Sequence, residues 1–372
     1  NRFSSNNCLG QSWLTEKSLE GKINGCIIGL GIFKENFTMI SHCLTKFLEN
    51  GSFVYIYNKE YNKTSSIMIS NYLIKQLGAL NMFTPLKNVT PNVMKCKFNG
   101  FSLFSDNLKC NLKDWRIRTS ITFDSSLLST KSTSLHEKAR TKWSTYPGLF
   151  AGGVIDIMTS YLLHTVKNEM EVTKKKKFDK ILDFCCGSGT IAYAYQTLIA
   201  HENKNIEMSL LDADSIAIEA ARKNIINPKN IYLSDGWAEV EEDEKFHLIL
   251  SNPPVHIGHH NCFDIIYKLV EGAAKHLHCG GELWVVCQSY IPLRSLISIK
   301  SFGYSDSIMY NDGRFSVHRF LTRGTDAVVT LSNKRKINEI SAVTNNDNEK
   351  RDENINKKKK KKKKKKQKEL KK

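Results

Sequence analysis

Lys180-Ile-Leu-Asp-Phe-Cys-Cys-Gly-Ser-Gly-Thr190 decides the fold. Phe178, Ile181, Leu182 and Phe184 form a short apolar run suited to a buried parallel strand, and Gly187 and Gly189 let the backbone turn without a Cβ. Ile191-Ala-Tyr-Ala-Tyr195 then opens a helix. A strand, a glycine turn and a helix start present backbone N–H groups outward, the arrangement on which a nucleotide-like ligand sits. By itself, a glycine turn specifies little.

The strands that follow sharpen the reading. Glu207-Met-Ser-Leu-Leu-Asp212 is an alternating-to-apolar run that stops on a carboxylate, placed to accept from two ligand hydroxyls. Asn230-Ile-Tyr-Leu-Ser234 ends at Asp235, where a carboxylate accepts from an adenine amino group. Phe246-His-Leu-Ile-Leu-Ser251 ends in Asn252-Pro-Pro-Val255. With helical patterns such as Ser215–Asn227 between them, four polar strand ends predict one crevice at the carboxyl edge of a doubly wound α/β sheet.

This order of motifs resembles the S-adenosylmethionine-dependent methyltransferases, and Asn-Pro-Pro after the fourth strand resembles those that methylate an exocyclic or amide nitrogen. Tyr146-Pro-Gly-Leu-Phe150 with Asp156, Ser251-Asn-Pro-Pro-Val-His-Ile-Gly258, the stretch from Glu271 to Leu283, and Gly313-Arg-Phe-Ser-Val-His-Arg319 look like the bacterial 16S ribosomal RNA guanine-N2 methyltransferases. The likeness covers about residues 142–323. A related family acting on the large subunit shares much of it. Two positions depart from the pattern. Cys185 stands where the family has the first glycine of its turn; an ordinary φ is expected there, with a cofactor held less closely or a shifted turn. Val255 replaces an aromatic residue and cannot stack a base, so Tyr290 and Phe315 become candidates for that clamp.

The resemblance implies S-adenosylmethionine as cofactor, held by Asp183, Cys185, Gly187, Gly189, Asp212, Asp235 and Asn252. Asn252, Pro253 and Pro254 are the candidate catalytic set, and Val255, His256 and Arg314 the candidate substrate contacts. A guanine amino group is a poor nucleophile because its lone pair is delocalised into the ring. The Asn252 side-chain carbonyl and the Pro253 backbone carbonyl can hold its two N–H bonds, and the prolines stiffen the loop beforehand. Arg319 is read either as an RNA contact or as a partner of surface acids. Phe150 and Asp156 are read as pocket residues or as core and helix-cap residues.

The 372 residues suffice for two domains and a tail, and 41% hydrophobic content suffices for ordinary cores. The formal charge of +18 is uneven: residues 334–372 carry 18 Lys/Arg against 6 Asp/Glu, so the rest is only mildly basic. Ten cysteines without a Cys-x-x-Cys pair read as reduced thiols in an intracellular protein, and no metal is expected. No apolar run reaches the length of a membrane span.

Along the chain, 1–22 is an irregular segment. Residues 23–104 alternate strand and helix patterns (Ile23–Phe33, Met39–Leu48, Ser52–Tyr57, Ser65–Leu77, then an antiparallel ribbon in Met94–Phe104) and read as a smaller, degenerate methyltransferase-like α/β domain. Residues 105–141 are a polar, basic linker, 142–333 the catalytic domain ending in a hairpin at Phe302–Phe320 and a strand at Ala327–Leu331, and 334–372 a disordered basic tail with ten consecutive lysines. The tail reads as a handle for polyanions or as a low-complexity expansion.

The expected function is methyl transfer to guanine N2 in ribosomal RNA, small subunit favoured. Partners are the RNA or the ribosomal subunit, with no membrane and a monomeric state, in the cytoplasm or else a nucleolar or organellar compartment. The alternatives are an adenine-N6 or protein-glutamine N-methyltransferase, or a non-catalytic RNA-binding or ribosome-assembly protein.

Overall fold

A computed structural model of the chain describes residues 21–30, 35–58, 83–86, 93–100, 109–128, 140–173, 178–257, 260–261, 263–293 and 303–322. The start of the chain, the helix expected at Ser65–Leu77, the charge run Lys174–Lys177, the strand expected at Ala327–Leu331 and the lysine-rich tail lie outside these residues.

The amino-terminal unit begins with β1 (Ile23–Leu30), α1 (Glu35–Leu44) and β2 (Leu48–Asn58), a strand, helix and parallel strand. β3 (Phe83–Pro85) and β4 (Val93–Phe98) add antiparallel partners in the order β1-β2-β4-β3. The period of two along β2 sends Val54 and Ile56 inward with Cys96 and Phe98 of β4. Phe53 and Tyr55 take the other face, where Lys95 Nζ lies 3.8 Å from the Phe53 ring centroid. On α1, Met39 and Cys43 are one helical turn apart and buried. They pack with Tyr146, Leu149, Ile216, Ala217 and Ala220, which docks this unit onto the carboxyl-terminal one.

The segment expected to be a linker is partly built into the fold. β5 (Ile117–Thr122) pairs antiparallel with β6 (Arg140–Thr145), and Ile121, Phe123, Leu127 and Leu128 are buried in the main core. Phe123 stacks on Tyr193 at 5.3 Å between centroids. Polar composition hid this strand because only Ile121 and its immediate followers face the core, while the rest of β5 is largely exposed.

The carboxyl-terminal unit continues through α2 (Ile157–Thr173), β7 (Lys180–Phe184), α3 (Thr190–Ala194), β8 (Glu207–Asp212), α4 (Ser215–Asn224), β9 (Asn230–Leu233) and β10 (Phe246–Ser251). A small ribbon of β11 (His256–Ile257) and β12 (His260–Asn261) precedes α5 (Asp264–Ala273), β13 (Leu277–Gln288), β14 (Tyr304–Asn311) and β15 (Phe315–Thr322). Seven strands form one sheet in the order β14-β15-β13-β10-β7-β8-β9. Five are parallel, and β15 runs antiparallel to both its neighbours, the hairpin the sequence predicts. Alternation splits the core: Ile181, Leu248, Leu250 and Val286 pack under α2 and α3, while Leu182, Phe184, Ile249 and Val285 pack under α5. Gly280 and Gly281 sit inside β13. The pairing jumps there from Phe246 opposite Leu277 to Leu248 opposite Glu282, and Gly280, at φ 73, carries the irregularity.

The chain winds from β7 outward to β8 and β9 and then returns to β10 on the other side of β7. That reversal opens a crevice at the carboxyl ends of the strands.

Candidate active site

The turn after β7 forms one wall of the crevice. Cys185, Gly187 and Gly189 have φ of 60, 53 and 89, so alternate residues are left-handed. Cys186 N donates to Leu211 O at 2.9 Å and Gly189 N to Cys186 O at 2.8 Å, which pins the loop between β7 and β8. A Cβ on Gly189 would lie 2.8 Å from Ile225 Cγ1, so this glycine lets the turn close against the residue that follows α4. A Cβ on Gly187 would meet nothing within 4 Å: this glycine borders open space.

Cys185 corrects the expectation of an ordinary φ. The turn keeps the conformation that a glycine would take there, and the cysteine carries the strain, of order 1–2 kcal/mol for a residue with a Cβ. Cys185→Gly is therefore expected to be about 1 kcal/mol more stable than Cys185→Ala, since both remove the thiol and only the first relieves the backbone. Equal urea midpoints for the two variants would contradict the strain. Burial pushes the thiols of Cys185 and Cys186 well up, with the nearby Asp212 carboxylate adding to it, which leaves them poor nucleophiles and disfavours a redox pair.

Asp183 is fully buried. One carboxylate oxygen accepts from Ala192 N at 2.9 Å; the other has no hydrogen-bond partner among the described residues. Burial raises its pKa to about 7, opposed by the Ala192 N–H and aided by Asp212. Asp212, half-buried, accepts from Gly187 N at 2.8 Å and Asp214 N at 2.9 Å, and burial lifts it to about 6. Both groups hold protons in the fold above the pH at which the unfolded chain releases them. Their contribution to stability is complete below about pH 4 and is lost as pH rises through 6 to 7. Asp183→Asn is thus expected to flatten the pH dependence of unfolding free energy between pH 4 and 8. Parallel profiles for the variant and the parent chain would refute it.

Asp235 is exposed, and both its oxygens are taken by Lys268 Nζ of α5 at 3.2 and 3.1 Å. The acceptor expected to be open is therefore engaged by a lysine that the sequence reading missed; its register on α5 gives no local signal of the pairing.

At the end of β10, Ser251 Oγ donates to Phe184 O at 2.6 Å and fixes this strand end beside the glycine turn. Asn252 Nδ2 donates to Asp156 Oδ2 and to Thr159 Oγ1, each at 3.0 Å. Both amide protons are thereby committed, and Oδ1 is the face of the amide left as an acceptor. Asp156 is at once the cap of α2, accepting from Met158 N at 2.9 Å and Thr159 N at 3.1 Å, and the partner of Asn252. Of the roles weighed for Asp156 from sequence, the helix cap is the one present, joined by the contact with Asn252. Sequence reasoning missed Thr159, although an acid just ahead of an apolar helix is a readable cap signal.

Pro253 is buried and Pro254 exposed. Val255 corrects its assignment to the substrate: it is 4% exposed and belongs to the buried core cluster that also holds Phe184, Ile266 and Leu269, because a short aliphatic side chain is better buried than left in the crevice. Only the backbone of His256 is described; its side chain lies outside the described residues. Phe315, one of the two candidate clamps, is 9% exposed, whereas Tyr290 and Phe150 are 62% and 57% exposed. Arg314 is exposed on the β14–β15 turn with its guanidinium 5.1 Å from the Phe315 ring. The register sets Phe315 opposite Gln288 at the end of β13, the same sheet edge as Asn252. Arg319 is buried, and its guanidinium binds Glu282 and Glu169, which removes it from any RNA surface.

A hydrogen-bond net missed by the sequence reading braces the turn from behind. Trp143 Nε1 donates to Ser188 Oγ at 3.1 Å, and Asn224 Nδ2 reaches Ser144 O and Ser188 O at 2.9 and 3.0 Å. Among the described residues no group of three or more His, Cys, Asp or Glu side chains could hold a metal ion, and no helix is long and apolar enough to cross a membrane.

Strand order, switch-point crevice and polar strand ends define a Rossmann-like methyltransferase fold. Residues 140–319 match the family model described as the methyltransferase small domain. Over 175 residues the chain is 31% identical to the ribosomal RNA small subunit methyltransferase C of Haemophilus influenzae, covering 46% of this chain and 48% of that protein. The enzyme of the same name from Escherichia coli O1:K1 is 30% identical over 178 residues, 47% and 48% of the respective chains. The chain spans about half the length of the curated relatives it matches. The T. thermophilus 16S rRNA N2 methyltransferase, solved with AdoMet and guanosine, superposes with a TM-score of 0.62 at 16% identity, over 82% of this chain and 74% of that one. At that identity the likeness is one of fold.

Proposed function

We propose that the carboxyl-terminal unit methylates the exocyclic N2 of a guanine in ribosomal RNA, with small-subunit RNA as the favoured substrate and S-adenosylmethionine as the methyl donor. The observation that carries the reading is the Asn252 amide. Its two protons are held by Asp156 and Thr159, so the group it offers to a substrate is an acceptor, as an amino group requires.

The residues present fit the cofactor. Gly187 borders open space, Asp183 has a buried carboxylate oxygen without a partner among the described residues, and Asp212 is placed at the next strand end. Asp183, Cys185, Gly187, Gly189, Asp212, Asp235 and Asn252 would hold it. When bound, S-adenosylmethionine supplies a methyl group on a sulfonium sulfur. The protein's share is orientation: Asn252 Oδ1 and the Pro253 carbonyl hold the two N–H bonds of the amine and leave its lone pair directed away from both acceptors. A site already set before the base arrives adds no reorganisation at the moment of reaction. Exposed Tyr290 and Phe150 are suited to stack a displaced base, and exposed Arg314 to pair with a neighbouring phosphate. The names of the relatives at 30–31% identity support the RNA substrate, and a cytoplasmic place of action goes with it.

The test is methyl transfer from labelled S-adenosylmethionine to purified small subunits and to naked ribosomal RNA, followed by nucleoside mass spectrometry. N2-methylguanosine is expected. Methylated adenine or protein glutamine would replace the substrate assignment, and absence of cofactor binding would leave a non-catalytic protein.

A further inference from the structure

Asp156 and Asn252 are 96 residues apart in the chain and in hydrogen-bond contact. Asp156 Oδ2 receives three N–H donors: Met158 N at 2.9 Å, Thr159 N at 3.1 Å and Asn252 Nδ2 at 3.0 Å. Its backbone carbonyl accepts from Ser160 N at 2.9 Å, so the start of α2 is fixed on all sides around this one residue. An ionised carboxylate is acceptor-only. An inverted Asn252 amide would set its carbonyl oxygen against that carboxylate, two acceptors at hydrogen-bond distance, and is thereby excluded. Thr159 Oγ1 alone would not decide the orientation, because a hydroxyl both donates and accepts. Thr159 is 5% exposed, which shelters the contact from competing water.

We infer that Asp156 is a positioning residue of the reaction: it selects the Asn252 amide orientation, with Thr159 as the second anchor, and ties that orientation to the capped start of α2. The inference rests on the reading of Asn252 as the holder of the substrate amine. Asp156 does not itself touch substrate; it acts through Asn252.

The variants separate the cap from the tether. Asp156→Ser keeps a good cap but is too short to reach Asn252, so α2 and the fold persist. Its kcat is expected to fall about 10- to 100-fold, with KM for RNA and for S-adenosylmethionine within about twofold, the pattern of impaired orientation with binding intact. Asp156→Asn presents an oxygen to the same three donors and is expected to restore kcat to within about threefold. Thr159→Val removes only the second anchor and is expected to cost about three- to tenfold. In an Asn252→Ala background, Asp156→Ser is expected to add nothing. An activity-independent readout is the Asn252 side-chain amide pair in a 15N–1H spectrum, assigned by its absence in Asn252→Ala. Slow hydrogen exchange of that pair is expected in the parent chain and in Asp156→Asn, and fast exchange in Asp156→Ser. Unchanged kcat in Asp156→Ser, or a further loss in the Asn252→Ala background, would overturn the inference. A parent chain that binds cofactor and makes no methylated guanine would instead overturn the proposed function, while the amide exchange still reports on the tether.

Discussion

Asn252→Ala is expected to lower kcat for methyl transfer by about 10²- to 10³-fold, the scale on which removing one preorganised polar group slows a reaction. Cofactor affinity should fall only by the single contact Asn252 gives it, because the glycine turn, Asp183 and Asp212 are held by bonds that do not involve Asn252. The α2 cap also survives, since Met158 N and Thr159 N still donate to Asp156. Asn252→Asp is expected to be no better than alanine. It would replace a donor by a carboxylate about 3 Å from Asp156, and two like charges at that spacing repel. Urea denaturation should show the aspartate variant as the less stable of the two. Steady-state kinetics with purified subunits decide the first point: an alanine variant within threefold of the parent would remove Asn252 from the chemistry.

The second large effect is on stability. The Arg319 guanidinium meets Glu282 through Nε at 3.0 Å and Nη2 at 2.6 Å, and Glu169 through Nη1 at 3.0 Å. Trp284 Nε1 adds a bond to Glu282 at 2.9 Å. Burial pushes the Glu282 carboxyl up, to about 7, opposed by the Trp284 N–H and aided by the nearby Glu169, and the forked contact with Arg319 is a charge-assisted pair. Arg319→Met fills most of the volume and leaves Glu282 buried without its partner, so a loss of about 3–5 kcal/mol is expected. The loss should shrink at low pH, where Glu282 takes up a proton, because a carboxyl with a raised folded pKa costs nothing below its unfolded pKa and its full penalty is reached as pH rises through the folded value. Combining Arg319→Met with Glu282→Gln is expected to recover most of the deficit, as an uncharged pair in the same space has little to desolvate. Denaturation midpoints of the three variants at pH 5 and pH 8 check this. A single Arg319→Met variant with the parent's midpoint would show that the pair contributes nothing.

The two predictions differ in how far the sequence foreshadows them. Asn252 stands in a contiguous signal, a strand followed by Asn-Pro-Pro, and strand ends and turns are written in neighbouring residues. Arg319 reads from sequence as an RNA contact or as a partner of surface acids, since arginine is usually solvated. Its burial depends on β15 lying between β13 and β14 and under α2, which no short stretch encodes. Val255 departs from expectation for a related reason: position relative to a motif is legible, and the direction of the side chain, set by packing with α5, is not.

The strand, glycine turn and helix at 180–195, the succession of acids ending β7, β8 and β9, and the loop after β10 are legible in neighbouring residues, because hydrophobic period and turn chemistry act over a few positions. Which polar groups meet is settled by packing: Asp156 with Asn252, Lys268 with Asp235, Arg319 with Glu282, and likewise the left-handed turn at Cys185. A polar side chain takes its partner from whichever element the fold stacks beside it. That choice is made by packing across the sheet, at sequence separations where local pattern carries no information.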